Sequence, residues 1–148
     1  MAVGTYNYTW EQGSDLPVQI IYKEGDPAVA VDLTADPPGY AVRMDIRVAT
    51  VSGALVYTFN SVDIEEIEPD DLTQEVTLGA AGEINIQVPR SLTLLGGTVY
   101  DQILLGQNVF FYDIFLRKVT PDTQIKLLQG TITVNKSATL WLETEATP

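Results

Sequence analysis

The sequence predicts an all-β protein: a two-sheet antiparallel β-sandwich, immunoglobulin-like or jelly-roll-like, with at most one short helix. Three observations predict it. Val, Ile, Thr, Tyr and Phe dominate short runs, as they do in strands. Gly, Pro, Asn and Asp punctuate those runs about every 8–12 residues, the spacing of sandwiches and barrels. No long stretch lays out Ala, Leu, Lys and Glu with a helical period. The 148 residues suit a single domain, 1–148, with a short polar tail over about 143–148. A chain of this length buries roughly 70% of its unfolded surface and needs no disulfide or metal staple.

The elements follow in order. Val3–Trp10 alternates Tyr6 and Tyr8 with polar Thr5, Asn7 and Thr9, and Glu11-Gln12-Gly13-Ser14-Asp15 is a turn. Leu16–Lys23 puts Leu16, Val18, Ile20 and Tyr22 on one face, and Pro17 marks an edge or a strand start. Glu24-Gly25-Asp26-Pro27 turns into a short strand, Ala28–Leu33, which Asp36-Pro37-Pro38-Gly39 closes. Tyr40–Ala49 has the clearest period of two: Tyr40, Val42, Met44, Ile46 and Val48 face inward, and Arg43, Asp45 and Arg47 face solvent. Leu55–Phe59 alternates Leu55, Tyr57 and Phe59 with Val56 and Thr58. Val62–Asp71 is acidic. Leu72–Leu78 and Glu83–Val88 flank a Gly79-Ala80-Ala81-Gly82 loop. Pro89–Leu95 is the helix candidate, with Pro89 at its first position and Gly96-Gly97 past its end. Strands Val99–Leu105, Val109–Val119 and Ile125–Val134 follow, with Thr120-Pro121-Asp122-Thr123 as a turn, and Ser137–Glu143 is a final strand.

Composition narrows the chemistry. The chain has no Cys and no His, so it has no thiolate nucleophile, no Cys/His zinc site and no imidazole base. Eight Lys+Arg against 20 Asp+Glu give a net charge of −12, which repels nucleic-acid phosphate and anionic membrane. No apolar run approaches the roughly 18 residues of a spanning helix. Met1–Trp10 lacks the basic and apolar regions of a signal peptide. Gly79-Ala80-Ala81-Gly82 is followed by neither a Lys nor a helix, so it is no phosphate loop. No cofactor, metal or catalytic residue is expected.

Asp113, between Tyr112 and Ile114, is a candidate general base, but alternation turns it outward or pairs it with a neighbouring cation. Asp63, Glu65, Glu66, Glu68, Asp70 and Asp71 crowd nine residues. They read as a calcium site without EF-hand spacing, as a solvated edge that resists aggregation, or as a contact for a basic partner. Val109–Lys118 is the most informative strand. Phe110, Tyr112, Ile114 and Leu116 share one face, and Val109, Phe111, Asp113, Phe115 and Arg117 share the other. A sandwich strand in a monomer needs only one apolar face. The aromatics on the second face are either covered by a loop or form a protein–protein contact. The expected contact residues are Phe111, Phe115 and Arg117, and Trp10 and Trp141 read either as core packing or as further anchors of the contact.

Two stretches carry a family resemblance. The first is Thr9-Trp10-Glu11-Gln12-Gly13-Ser14-Asp15, Val31-Asp32-Leu33-Thr34 and Gly39-Tyr40-Ala41-Val42-Arg43-Met44-Asp45-Ile46-Arg47. The second is Tyr112-Asp113-Ile114-Phe115-Leu116 and Leu127-Leu128-Gln129-Gly130-Thr131-Ile132-Thr133-Val134. Together, over about residues 9–134, they resemble small β-sandwich modules of tailed-bacteriophage virions, such as the N-terminal modules of tail-fibre proteins and of the upper baseplate protein. The resemblance implies a non-enzymatic assembly part of the virion, put together in the host bacterial cytoplasm, with Tyr112 and Leu128 in the core. It implies other virion structural proteins as partners, in a homo-oligomer or on a ring, with neither nucleic acid nor membrane bound. The chain departs from the family in its Ala35-Asp36-Pro37-Pro38 insertion and in ending without a receptor-binding domain. A free-standing adaptor, in the tail, in the baseplate or at a fibre attachment, is therefore expected. The alternatives are a capsid decoration protein on the outer head surface and, more remotely, a carbohydrate-binding or hydrolytic β-sandwich.

Overall fold

The computed structural model describes residues 4–35, 39–49, 53–61, 76–119 and 122–137. Its strands in chain order are β1 (Gly4–Thr5), β2 (Tyr8–Glu11), β3 (Leu16–Ile21), β4 (Lys23–Glu24), β5 (Val29–Ala30), β6 (Tyr40–Val48), β7 (Leu55–Asn60), β8 (Val76–Leu78), β9 (Glu83–Val88), β10 (Val109–Lys118) and β11 (Thr123–Asn135). The larger sheet has the order β1-β11-β10-β6-β7, with β2 also on β11. The smaller sheet has the order β3-β9-β8, and β4-β5 is a separate ribbon. Lettered along the chain, the sheets are B-E-D and G-F-C-C′, the immunoglobulin arrangement rather than the jelly roll.

The alternation read from the sequence sets the inner faces. Val42, Met44, Ile46 and Val48 of β6 and Phe110, Tyr112, Ile114 and Leu116 of β10 are all buried. Val18 of β3 and Ile84, Ile86 and Val88 of β9 meet them in one continuous core. Trp10 lies in the same core, 1% exposed, with its indole N–H donating to the Ser14 carbonyl at 2.7 Å. The Val31-Asp32-Leu33-Thr34 stretch is a self-capped turn: the Asp32 carboxylate accepts from the Thr34 N–H at 2.9 Å and from its hydroxyl. That turn drops Leu33, 3% exposed, into the core.

Several expectations need correction. Val99–Leu105 is not a strand but the helix α1 (Thr98–Leu104). Val99 and Ile103, both buried, are four apart, which suits one helix face as well as a strand face. Asp101 between them decides the matter, since a strand would turn it into the core alongside them and a helix does not. The candidate helix Pro89–Leu95 shrinks to a single 3-10 turn, Arg90–Thr93. Gly97 joins the two, because a Cβ there would strike the carbonyl oxygens of Ser91 and Leu92.

The expected strand Ala28–Leu33 is only β5, paired with β4. Val3–Trp10 is broken at Tyr6-Asn7 into β1 and β2, and both pair parallel with β11, so the larger sheet is not purely antiparallel. The first and last strands share no tight turn, so nothing forces them to run opposite ways. Leu55, which alternation groups with Phe59, is 48% exposed while Phe59 is fully buried, because the register slips between Ile46 and Arg47 and sets Leu55 opposite Arg47. The acidic stretch Asp63–Asp71, most of Leu72–Leu78 and most of Ser137–Glu143 lie outside the described residues.

Candidate functional site

Three central strands, β6, β10 and β11, present one broad outer face, and cross-strand register decides which side chains meet on it. Phe111 lies opposite Arg47 on one side and Thr131 on the other. Phe115 lies between Arg43 and Lys126, and Asp113 between Asp45 and Gln129. Arg117 lies between Ala41 and Gln124. Of the five sequence-predicted contact residues, the structure therefore brings three together on this face: Phe111, Phe115 and Arg117.

Phe111 is 50% exposed although Phe110 beside it in the chain is fully buried. It lines an open depression of ≈ 410 Å³ with Thr5, Asn7, Arg47, Asp113 and Thr131 among its neighbours. Phe115 is half-buried, with the Lys126 ammonium 5.4 Å from its ring centre. It shares a smaller depression of ≈ 210 Å³ with Arg43 and Arg117. The Arg117 guanidinium donates to Asp122 at 3.0 Å and stays exposed. Trp10 does not belong to the site, since its whole side chain is spent in the core. Trp141 lies outside the described residues.

Charge on the face is organised around two carboxylates that stand opposite each other, Asp45 and Asp113. Like charges so placed repel unless each is compensated. Asp45 accepts from the Arg43 Nε at 2.9 Å and from the Thr58 hydroxyl at 2.8 Å, and a third group, Arg47, lies at 3.4 Å. Burial pushes its carboxyl up, but those hydrogen bonds and the two guanidinium charges outweigh burial and hold it below the ordinary carboxylate range. Asp113 pairs with Lys126 at 3.8 Å, so it points outward and has the cationic neighbour that alternation predicts.

A carboxylate held low and clasped by two arginines is a poor proton donor and a weak base, the reverse of what a raised-pKa catalytic acid requires. A second open groove of ≈ 420 Å³ runs beside Tyr6, Tyr8, Pro17, Gln19, Ile20 and Leu128, and among the described residues no carboxylate lines it. Tyr6, 56% exposed, stacks edge-on against Tyr8 at 4.6 Å.

The floor of the Phe111 depression depends on residues that sequence reasoning missed. The Asn7 side-chain oxygen accepts from both the N–H and the hydroxyl of Thr131, each at 3.1 Å. Tyr112 donates its hydroxyl to the Tyr6 carbonyl at 2.7 Å. Burial, then the neighbouring Tyr8 and Tyr6, push that phenol above its ordinary range, so it stays a neutral donor. The Tyr6 carbonyl comes so near Gly130 that a Cβ there would overlap it. An isolated Gly inside the β11 pattern was the available signal for such a close backbone approach.

Comparison with known proteins gives no relative: no family model matches the chain, and no curated protein matches it. Among the described residues no helix is long and apolar enough to cross a membrane.

Proposed function

We propose that this chain is a non-enzymatic structural protein of a tailed-phage virion: an adaptor in the tail, in the baseplate or at a fibre attachment, docking through the outer face of its larger sheet. The observation that carries the docking reading is Phe111, half exposed in an open depression and flanked by Arg47 and Asp113. An aromatic ring in a polar rim is the composition of an interface anchor. The low-held, doubly clasped Asp45 favours recognition over catalysis.

The virion assignment rests on the motif resemblance. Tyr112, implied to be a core residue, is buried, and Leu128 packs half-buried against the core. The Val31-Asp32-Leu33-Thr34 motif has a structural task that such a module would need, anchoring the turn before β6.

The test is the position of the protein in particles. Virions purified from lysate and labelled with antibody to this chain should carry signal on the tail or baseplate. Signal on the icosahedral shell would replace the adaptor with a decoration protein. Intact virions without the protein would overturn the reading.

A further inference from the structure

The bases of this acidic chain are unevenly placed. Of its eight Lys and Arg, four point outward from the three central strands: Arg43 and Arg47 on β6, Arg117 on β10 and Lys126 on β11. Among the described residues three acids meet these bases: Asp45 and Asp113 in the same outward set, and Asp122 just before β11, which pairs with Arg117 at 3.0 Å. Both outward phenylalanines of β10 have a base directly across the strand pair, Phe111 with Arg47, and Phe115 with Arg43 and Lys126. Arg43 and Arg47 also divide a single carboxylate, that of Asp45. Four bases thus share three carboxylates, and among the described residues the face keeps a small excess of positive charge beside aromatic carbon. Its chemical complement is a segment that interleaves acids with aliphatic side chains.

The chain contains such a segment. Residues 62–72 read Val-Asp-Ile-Glu-Glu-Ile-Glu-Pro-Asp-Asp-Leu, with six acids, no base, and Val62, Ile64, Ile67 and Leu72 spaced among them. We infer that the outer face of the larger sheet docks the acidic 62–72 segment of a second copy of this chain. This rests on the docking face proposed above and names its occupant. Aliphatic side chains cover Phe111 and Phe115 while the carboxylates meet Arg43, Arg47, Arg117 and Lys126. Face and segment are different residues of the chain, so two copies either exchange segments reciprocally in a closed dimer or pass them on head-to-tail, in a ring or a chain.

The test uses the full chain and two variants, each checked for folding by its thermal melt. The face variant is Phe111→Ser with Lys126→Glu, and the segment variant is Glu65→Lys with Glu66→Lys and Glu68→Lys. If the face variant melts early, Arg117→Glu with Lys126→Glu takes its place. Sedimentation velocity over a concentration series should show wild-type self-association that is roughly tenfold weaker at 0.5 M than at 0.05 M salt, because the contact is ionic and solvent-accessible.

Each variant alone should be a monomer. An equal mixture of the two should form a heterodimer and nothing larger, because one intact face then meets one intact segment. A wild type that stays monomeric at every concentration overturns the inference, as does a mixture that fails to associate. Should the segment variant associate like wild type while the face variant does not, the occupant is wrong and the docking face stands. If both variants associate like wild type, the docking face fails with it.

Discussion

Phe110 and Phe111 are neighbours in the chain with opposite assignments, and replacing each in turn separates fold from function. Phe110 is fully buried. Phe110→Ala should cost about 3–5 kcal/mol, the range for emptying a core aromatic site. In a chain of this size that lowers the melting temperature by roughly 6–20 °C. Phe111 is 50% exposed, so about half of an aromatic side chain's usual 150–250 Å² still awaits burial, on the order of 100 Å². At about 25 cal/mol per Å², covering it in a contact is worth roughly 2.5 kcal/mol. Phe111→Ser should therefore weaken docking about 60-fold. Its thermal melt should shift by a smaller amount than that of Phe110→Ala. The assay is rebinding of purified protein to virions depleted of it, read by co-sedimentation, beside a urea titration of each variant. Rebinding unchanged by Phe111→Ser would refute the assignment of this face as the docking surface. A Phe111→Ser protein as unstable as Phe110→Ala would place the ring in the fold's own packing.

Two further predictions concern the frame around that face. Gly130→Ala forces a methyl into the Tyr6 carbonyl and should disrupt three bonds, Tyr6 N–H to the Gln129 carbonyl, Tyr112 hydroxyl to Tyr6, and Thr131 N–H to Asn7. At roughly 1 kcal/mol each, the loss is about 2–4 kcal/mol in a urea titration, and a change below about 0.5 kcal/mol would show that β1 and β2 can shift at no cost. Asp45→Asn should destabilise by about 1 kcal/mol at neutral pH, since its arginine partners are half exposed. Because the folded carboxyl titrates below its ordinary 3.8, wild type has this contribution in full above that value and loses it as pH falls through the lower folded value. The stability gap between the two proteins should therefore narrow in acid, and a gap that stays constant as pH falls below 3.8 would contradict the ion-pair account.

Much of the outer face of the larger sheet was legible because a strand's period is local. Tyr40–Val48 and Val109–Lys118 each alternate without interruption, so their outward residues Arg43, Asp45, Arg47, Phe111, Phe115 and Arg117 follow from counting by two. The same counting groups Leu55 with Phe59, and one register slip separates the two, because it reverses the side on which a residue falls. It also misread α1, where Val99 and Ile103 satisfy both periods and only Asp101 separates them. Trp10 was ambiguous because residue type alone carries no information on which layer closes over it.

By itself the sequence determined the all-β class, the inward sets of Tyr40–Val48 and Val109–Lys118 and the absence of thiol and imidazole chemistry. Those properties depend on composition and on neighbours one or two residues away. The tertiary structure alone decided that Phe111 faces Arg47, that Asp113 stands opposite Asp45, and that β1 and β2 run parallel to β11. Such pairings join residues far apart in the chain. They are set by which arrangement buries both inner faces at once and leaves the backbone hydrogen-bonded. Such a constraint acts on the whole chain, and no single stretch of it carries the answer.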